Sequence, residues 1–423
     1  MLDIKFIREN PKLVEEQAKQ KGYDVNIQQL FKVDEERRKL IEEVDKLRSE
    51  RTKAAEARDT NEGQALKVKI RQLEDKLKKL QGQFEGLMRS VPNLPLEGVP
   101  IGDDLSNKSI KKIGTPRKFD FAPKDHLELG EELNLIDIPR ASKVSGTRFA
   151  YLKNELAILE IALINFAFEK LLKEKFEIVI PPSLIRFEIT KGLGYWDGTI
   201  DENHTSNENY YLVHDPHEKK ENDDSRLYLI GTGEHVIVPM YKDEIISEKD
   251  LPKKIAAFSP SYRREAGTYG KDTRGILRVH QFDKVEMVEF VKPDDDKKER
   301  KKLLEIAESL VKALEIPYQL VRLASRDLPF PTAETIDIEC WIPSQNKYRE
   351  THSISTTTDF QARRLNIKYS EANQTKFVHI LNATAFAIGR TIITIMENYQ
   401  QKDGSILVPK VLQKYTNFAK IPA

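Results

Sequence analysis

The sequence predicts an α+β protein: an N-terminal antiparallel coiled-coil hairpin arm, then a domain built on an antiparallel β-sheet with flanking helices. Three observations predict it. Two apolar seams with alternating three- and four-residue steps run on either side of a polar turn between residues 27 and 91. From residue 255 onward, strand patterns alternate with helical stretches such as Lys298–Leu314. No Rossmann or P-loop glycine signature is present, so a nucleotide would have to be held by sheet side chains rather than by a phosphate loop.

Residues 3–20 read as a short amphipathic helix packed on its own domain. In the first long seam, Leu30, Val33, Leu40, Val44, Leu47 and Ala54 recur at heptad spacing, with Arg37 and Arg51 at the remaining positions. In the second, Leu66, Ile70, Leu73, Leu77, Leu80, Phe84, Leu87 and Val91 continue without a break. Asp59-Thr-Asn-Glu-Gly63 supplies turn residues between them. Roughly 28 residues per helix at 1.5 Å rise give an arm of about 40 Å. Lys67, Lys69, Arg71, Lys76, Lys78 and Lys79 lay a basic stripe on the second helix, suited to a phosphate backbone. The same pattern also suits an oligomerisation coil or half of a bundle with a solvated charged face. Val91-Pro-Asn-Leu-Pro and Gly98-Val-Pro-Ile-Gly read as a linker that closes a first domain over 1–100 and leaves a second over 101–423. In the second, Leu156–Leu172 is helical and Phe176-Glu-Ile-Val-Ile-Pro-Pro is a strand stopped by two prolines. Residues 198–226 are polar and read as a surface insertion.

Composition sets bounds. The 423 residues carry 69 basic and 68 acidic side chains, net +1, so a polyanion would have to be steered by a local patch. Cys340 is the single cysteine, which excludes an internal disulfide and a cysteine-based zinc cluster and suits a reducing compartment. The eight histidines show no metal-ligand spacing. No apolar run reaches membrane-spanning length and residues 1–11 lack a signal-peptide core, so a soluble cytoplasmic protein is expected.

The richest stretch is Phe258-Ser-Pro-Ser-Tyr-Arg-Arg-Glu-Ala-Gly, continuing to Arg274-Gly-Ile-Leu-Arg-Val-His-Gln-Phe-Asp-Lys-Val-Glu286. It reads as strand, Gly-rich loop, strand. Successive strand side chains point to opposite faces. Arg278, His280, Phe282, Lys284 and Glu286 would share one face, and Leu277, Val279, Val285 and Met287 the core face. Arg263 and Glu265 would share a face of the first strand. Arginines, an aromatic plate and carboxylates together are costly to bury unless they bind something charged and planar, as a nucleotide beside an amino acid would be. A solvated sheet face would show the same alternation.

The residue order narrows this. Arg263-x-Glu265, Asp272-Thr-Arg-Gly275 and Arg278-Val-His-Gln-Phe-x-Lys-Val-Glu286 resemble motif 2 of the bacterial-type seryl-tRNA synthetases, a class II aminoacyl-tRNA synthetase family. The resemblance covers nearly the whole chain. It places motif 1, a dimer-interface element, at about 156–182, motif 2 at about 255–290 and motif 3 at about 378–400. It implies a class II catalytic domain that makes seryl-adenylate from L-serine and ATP with Mg2+, then transfers serine to tRNA(Ser), and to tRNA(Sec) where present, in a homodimer. The coiled-coil arm, about 27–91, would bind the tRNA. In that reading Arg263 bridges the α-phosphate and the serine carboxylate, and Glu265 reads the adenine amino group. Phe282 stacks on adenine with Arg390 on the opposite face, Arg278 holds the far phosphates, and the Val279 backbone lies near the base. Glu350, in Glu350-Thr-His-Ser353, is the implied magnesium ligand, with Ser353 nearby. Arg390, in Asn382-Ala-Thr-Ala-Phe-Ala-Ile-Gly-Arg390, can reach a γ-phosphate. Thr232, Glu234, Glu286, Asn382 and Thr384 form the serine pocket together with Arg263.

The chain departs from the family at Gly231-Thr-Gly-Glu234, where Pro-Thr-Ala-Glu or Pro-Thr-Ser-Glu is common, and at His352, Ile354 and Ala383. Two other readings fit parts of the sequence: a catalytically degenerate relative that binds RNA, and a homologue that aminoacylates a carrier protein. The retained Arg263, Glu265, Arg278, Phe282, Glu286, Glu350 and Arg390 argue against the first. The long arm argues against the second.

Overall fold

A computed structural model describes residues 1–195, 209–213, 226–265, 272, 274–372 and 374–422. The chain forms two compact units, Met1–Leu94 and the remainder from Pro95.

In the first unit the expected single helix over 3–20 is two. Helix α1 (Ile4–Glu9) stops at Asn10, and α2 (Pro11–Gln20) starts on Pro11. Proline suits a first helical turn but cannot continue a preceding helix. The arm is α3 (Ile27–Glu56) and α4 (Thr60–Ser90). Leu30, Val33, Leu40, Val44, Leu47 and Ala54 are all buried, as the seam requires, against α4 residues that include Ile70 and Leu80. The turn is shorter than the sequence suggests. Arg58 takes the left-handed conformation at φ 56°, and the Asp59 side chain caps α4 by accepting from Glu62 N–H at 2.9 Å. Thr60–Gly63 therefore belong to the helix. Asp59 acts as an N-cap, a role its residue type favours equally.

At the root of the arm, Ile27, Leu30, Met88 and Val91 pack with Ile7 and Val14. Arg37, in the seam, lies over the Phe84 ring at 4.2 Å and donates to buried Asp34 at 2.9 Å. Arg8 reaches the same carboxylate, so the buried Asp34 charge is paired from two sides.

The second unit is organised on an eight-stranded sheet. In chain order its strands are β1 (Lys108–Ile113), β2 (Glu177–Val179), β3 (Lys253–Tyr262), β4 (Gln281–Val291), β5 (Tyr318–Arg322), β6 (Glu334–Ile342), β7 (Lys347–Thr358) and β8 (His379–Ala387). Their spatial order is β1-β5-β6-β7-β8-β4-β3-β2. Neighbours are antiparallel, apart from β2, which runs parallel to β3 at one edge. The helices used below are α5 (His126–Glu132), α6 (Asn154–Lys173), α7 (Glu234–Ile237), α8 (Asp296–Ala313), α9 (Phe360–Leu365) and α10 (Ile388–Tyr399). The apolar faces of α6, α8 and α10 bury Leu156, Leu159, Leu163, Leu303, Leu310, Ile392 and Met396 in one core with Val285 and Met287 of β4. The Leu96 N–H donates to the Ala333 carbonyl at 2.9 Å, so this part of the Pro/Gly stretch is pinned to the second unit rather than spanning freely. Most of the polar 198–226 insertion lies outside the described residues.

Candidate active site

A cavity of about 570 Å³ opens on one face of the central strands, a size that suits a nucleotide with a small second ligand. Thr232, Glu234, Arg263, Glu265, Arg278, Val279, Phe282, Glu286, Glu350, Ser353, Asn382, Thr384 and Arg390 all line it. Residues from five separate stretches of sequence are thus brought to one wall.

Alternation on β4 holds where β4 is a strand. Phe282, Lys284 and Glu286 face the cavity, while Val285 and Met287 are fully buried in the core. It fails beyond the strand ends. Arg278 and His280 precede β4, and Arg263 and Glu265 follow β3. Glu265 is left-handed at φ 52°, so it does not continue the pleat from Arg263. It reaches Arg278 by another route: Arg278 Nη1 donates to Glu265 Oε2 at 2.8 Å. The Arg263 guanidinium lies 5.2 Å from the centre of the Phe282 ring, and its Nε donates to the Gly231 carbonyl at 3.1 Å. Thus Arg263 is tied to the same turn that carries Thr232 and Glu234.

That turn is built around glycines. A Cβ on Gly231 would stand 3.1 Å from Tyr210 Cε1, and one on Gly233 would stand 3.3 Å from Ser259 Oγ. Both departures from the family pattern fall where neighbouring side chains have taken the space a Cβ would need. Glu234 opens α7 and is buried. Its Oε2 accepts from Tyr195 Oη at 2.7 Å and its Oε1 from Gln361 Nε2, on α9, at 2.8 Å. Burial raises its pKa against the lowering effect of these two donors. His235 Nδ1 accepts from the Gly231 N–H at 3.2 Å. Burial, with the charges of Arg263 and Lys284, pushes His235 down to about 3, which keeps it neutral.

Across the sheet, strand register sets a second group of cavity side chains. Glu286 is opposite Thr384, because the β4–β8 pairing shifts by one residue between Val285 and Glu286. Thr232 Oγ1 donates to Glu286 Oε2 at 3.2 Å, and Lys284 Nζ pairs with that same oxygen. Asn382 is opposite Ser355 on β7.

Also in the cavity lining, Arg390 on the first turn of α10 faces Glu350 on β7. Ser353 Oγ donates to Asp337 Oδ1, on β6, at 2.6 Å. Burial, reinforced by the charge of Glu350, pushes Asp337 well above the usual carboxylate range. Among the described residues, no group of three or more His, Cys, Asp and Glu side chains is placed to hold a metal ion.

Lys284, Asp337, Tyr195 and Gln361 gain a place in the site only from the structure. Lys284 was within reach, since it lies between Phe282 and Glu286 on the same face, and Asp337 shares the period-two pattern of Thr335 and Glu339. Tyr195 and Gln361 carry no local signal. They matter only because the fold brings them to Glu234.

An antiparallel sheet with its cavity on one face, arginines from the motif 2 and motif 3 stretches and no phosphate loop defines a class II aminoacyl-tRNA synthetase core. Residues 211–399 match the family described as the tRNA synthetase class II core domain (G, H, P, S and T). Residues 1–95 match the seryl-tRNA synthetase N-terminal domain. A serine–tRNA ligase of Thermotoga petrophila is 42% identical over 441 residues, covering 100% of both chains. One from Thermodesulfovibrio yellowstonii is 38% identical over 433 residues, covering 98% of each. The crystal structure of a Pyrococcus horikoshii seryl-tRNA synthetase complexed with ATP is 36% identical and superposes with TM-score 0.87, covering 100% of this chain and 99% of that one. The chain belongs to the seryl-tRNA synthetase family.

Proposed function

We propose that this chain is a serine–tRNA ligase that joins L-serine to ATP as seryl-adenylate, releases pyrophosphate and passes the seryl group to tRNA(Ser), or to tRNA(Sec) where a cell has one. The observation that carries this reading is that one cavity is lined both by Arg263, Thr232, Glu286 and Thr384 and by Arg278, Glu350 and Arg390, with Thr232 bonded to Glu286 and Arg390 paired with Glu350.

Both reactants of the first step are anions, so positioned cations matter more than an acid or base. Arg263 presents a planar fork that can hold the serine carboxylate and the α-phosphate together. Phe282 offers a flat apolar face to adenine, with Arg390 on its opposite side. The Val279 backbone lies near the base and Glu265 accepts from the adenine amino group. Arg278 and Arg390 take the outer phosphates. Glu286 and Glu234 hold the serine ammonium, while Thr384 and Asn382 bond the hydroxyl. A site that hydrogen-bonds a hydroxyl rejects alanine, because its own polar groups would be left unpaired.

The oxygen donors Glu350, Ser353 and Asp337 suit magnesium, which binds through one or two carboxylates and completes its shell with substrate phosphates. Glu350 and Ser353 are the residues that would hold it. When bound, magnesium would neutralise phosphate charge.

The arm is the tRNA-binding element in this reading. All six basic residues of the stripe on α4 are exposed, as phosphate contact requires. A homodimer through motif 1 is supported by Ile158, Ile161 and Ile180, which are 42%, 54% and 77% exposed on and beside α6. No helix among the described residues is long and apolar enough to cross a membrane, and cytoplasmic residence is part of the proposal. The test is charging of a tRNA(Ser) transcript with labelled serine. Acid-precipitable seryl-tRNA supports the reading. Adenylate formation without transfer would reduce it to amino-acid activation alone.

A further inference from the structure

His126 lies outside motifs 1, 2 and 3, about 150 residues before the loop it touches. It is buried at the first position of α5. Its backbone N–H donates to Glu397 Oε1 of α10 at 3.1 Å, and its Nδ1 lies 3.2 Å from the same oxygen. The Ile276 N–H donates to its Nε2 at 3.2 Å. A backbone N–H can only donate, so Nε2 must be the acceptor, and the ring proton then sits on Nδ1 toward the carboxylate. The partners fix the tautomer.

The ring is held from behind on several sides. Glu397 Oε2 accepts from the Ser344 N–H at 3.0 Å, which locks the carboxylate. Gln400 accepts from the Lys124 N–H at 2.9 Å and donates to the Lys124 carbonyl at 3.0 Å, which locks the chain entering α5. Asp125 and Glu128 close a capping box on that helix.

On the loop side, Gly275 is at φ 77°, and a Cβ there would stand 2.1 Å from His126 Nε2. Only glycine allows the backbone to pass over the ring. A Cβ on Gly389, the neighbour of Arg390, would lie 3.6 Å from the Ile276 carbonyl oxygen. The Ile276 N–H is therefore held by His126, and its carbonyl passes close to the start of α10. Arg278 and the Val279 backbone follow at once. A second tie, Arg349 Nη1 to Asp272 Oδ1 at 3.1 Å, fixes the chain on the other side of Gly275.

We propose that His126 is a positioning residue for ATP: acting through the Ile276 N–H, it sets the backbone that aims Arg278 and Val279 into the nucleotide end of the cavity. This rests on the proposed function for the identity of the nucleotide. It assigns His126 no contact with either substrate.

The test compares His126→Phe, which fills the space without an acceptor, with His126→Gln, whose Oε1 restores one. Steady-state ATP–pyrophosphate exchange gives the KM for ATP and for serine, and calorimetry with ATP alone gives affinity without turnover. His126→Phe is expected to weaken ATP in both measurements by tenfold or more and to leave the serine KM within twofold. His126→Gln should recover most of the loss. Gly275→Ala, which pushes the loop off the ring from the other side, should reproduce the His126→Phe pattern, and it decides the matter if His126→Phe does not fold. Wild-type ATP affinity in folded His126→Phe or Gly275→Ala would overturn the proposal. So would equal losses for ATP and serine, or a Gln variant no better than Phe. A wild-type protein that binds ATP but shows no serine-dependent exchange would count against the proposed function instead, and calorimetry would still read the His126 effect.

Discussion

Arg390 Nη1 stands 3.0 Å from Glu350 Oε1 and 3.1 Å from the Glu350 backbone oxygen, so the first turn of α10 and strand β7 are joined in the cavity lining. The enclosing pocket works to raise the Glu350 pKa, but the Arg390 guanidinium outweighs it and holds the carboxyl below the usual carboxylate range. The group is thus an anion at neutral pH. Glu350→Gln keeps the shape and removes the charge. Its exchange rate should fall by about 100-fold or more, the usual cost of losing a preorganised charge in a site of this kind. Its magnesium midpoint should rise. A magnesium titration superimposable on wild type would remove Glu350 from the cation's shell.

Arg263 and Glu286 should fail in different ways. Arg263→Ala should lower the maximal exchange rate by orders of magnitude, because its charge matters most as negative charge builds on the α-phosphate. Glu286→Gln should chiefly raise the serine KM, by roughly 10- to 100-fold, the worth of one charge-assisted hydrogen bond. Gln is preferable to Ala because buried Lys284 pairs with Glu286, and stripping the partner from a buried charge costs about 3–5 kcal/mol of stability. Exchange measured against serine and against ATP separates the two outcomes. Near wild-type kinetics in both folded variants would show that this sheet face is not the active site.

The arm can be shortened without damaging its root. Removing 27–91 would strip Ile27, Leu30, Met88 and Val91 from the core that holds α1 and α2. Replacing 45–72 with a short Gly/Ser turn spares that core and deletes the outer arm. Serine-dependent exchange should stay within about twofold, while charging of tRNA(Ser) should fall by about 100-fold or more and the parent's tRNA affinity should drop steeply with salt. Unchanged charging by the shortened protein would show that the outer arm is not the tRNA determinant.

Lys21 gives the first unit a pH dependence of its own. Its Nζ donates to the Asn93 carbonyl at 3.1 Å, and burial pushes its pKa down to about 7. Below about 7 the folded and unfolded chains both carry the proton, and Lys21 adds no slope. Between there and about 10 only the unfolded chain binds it, so stability rises with pH by at most about 1.4 kcal/mol per unit. Lys21→Met should remove that slope and stabilise the unit at pH 7. Hydrogen exchange of the α1 and α2 amides in the full chain, corrected for intrinsic rates, reads this directly. A slope that persists in Lys21→Met would assign it to another group.

Local pattern carried much of this structure. The arm seam is legible because Leu30 through Ala54 obey one period along an uninterrupted helix, and the β4 face because Phe282, Lys284 and Glu286 obey another. Both readings stop where the backbone leaves regular geometry. Arg278 and Arg263 line one cavity, but the strands on which the pattern puts them do not extend so far, since Glu265 is left-handed and the Gly275–Ile276 turn is shaped by His126, about 150 residues earlier. Periodicity has no access to a contact of that separation. The same limit hid Tyr195 and Gln361, which reach Glu234 from α9 and from the end of the segment before residue 196. The arm turn is ambiguous for a different reason: Asp59 is favoured both in turns and as an N-cap, and only the conformation of Arg58 decides between them.

The central claim is that one cavity activates serine with ATP. Magnesium-dependent ATP–pyrophosphate exchange with a panel of serine, threonine, alanine, glycine and cysteine tests it most directly. The expected result is exchange with serine, and with the others at least about 100-fold less efficient, since each lacks the hydroxyl or carries a group the Glu286 and Thr384 pair does not fit. No exchange with serine in a folded, magnesium-supplied sample would contradict the account.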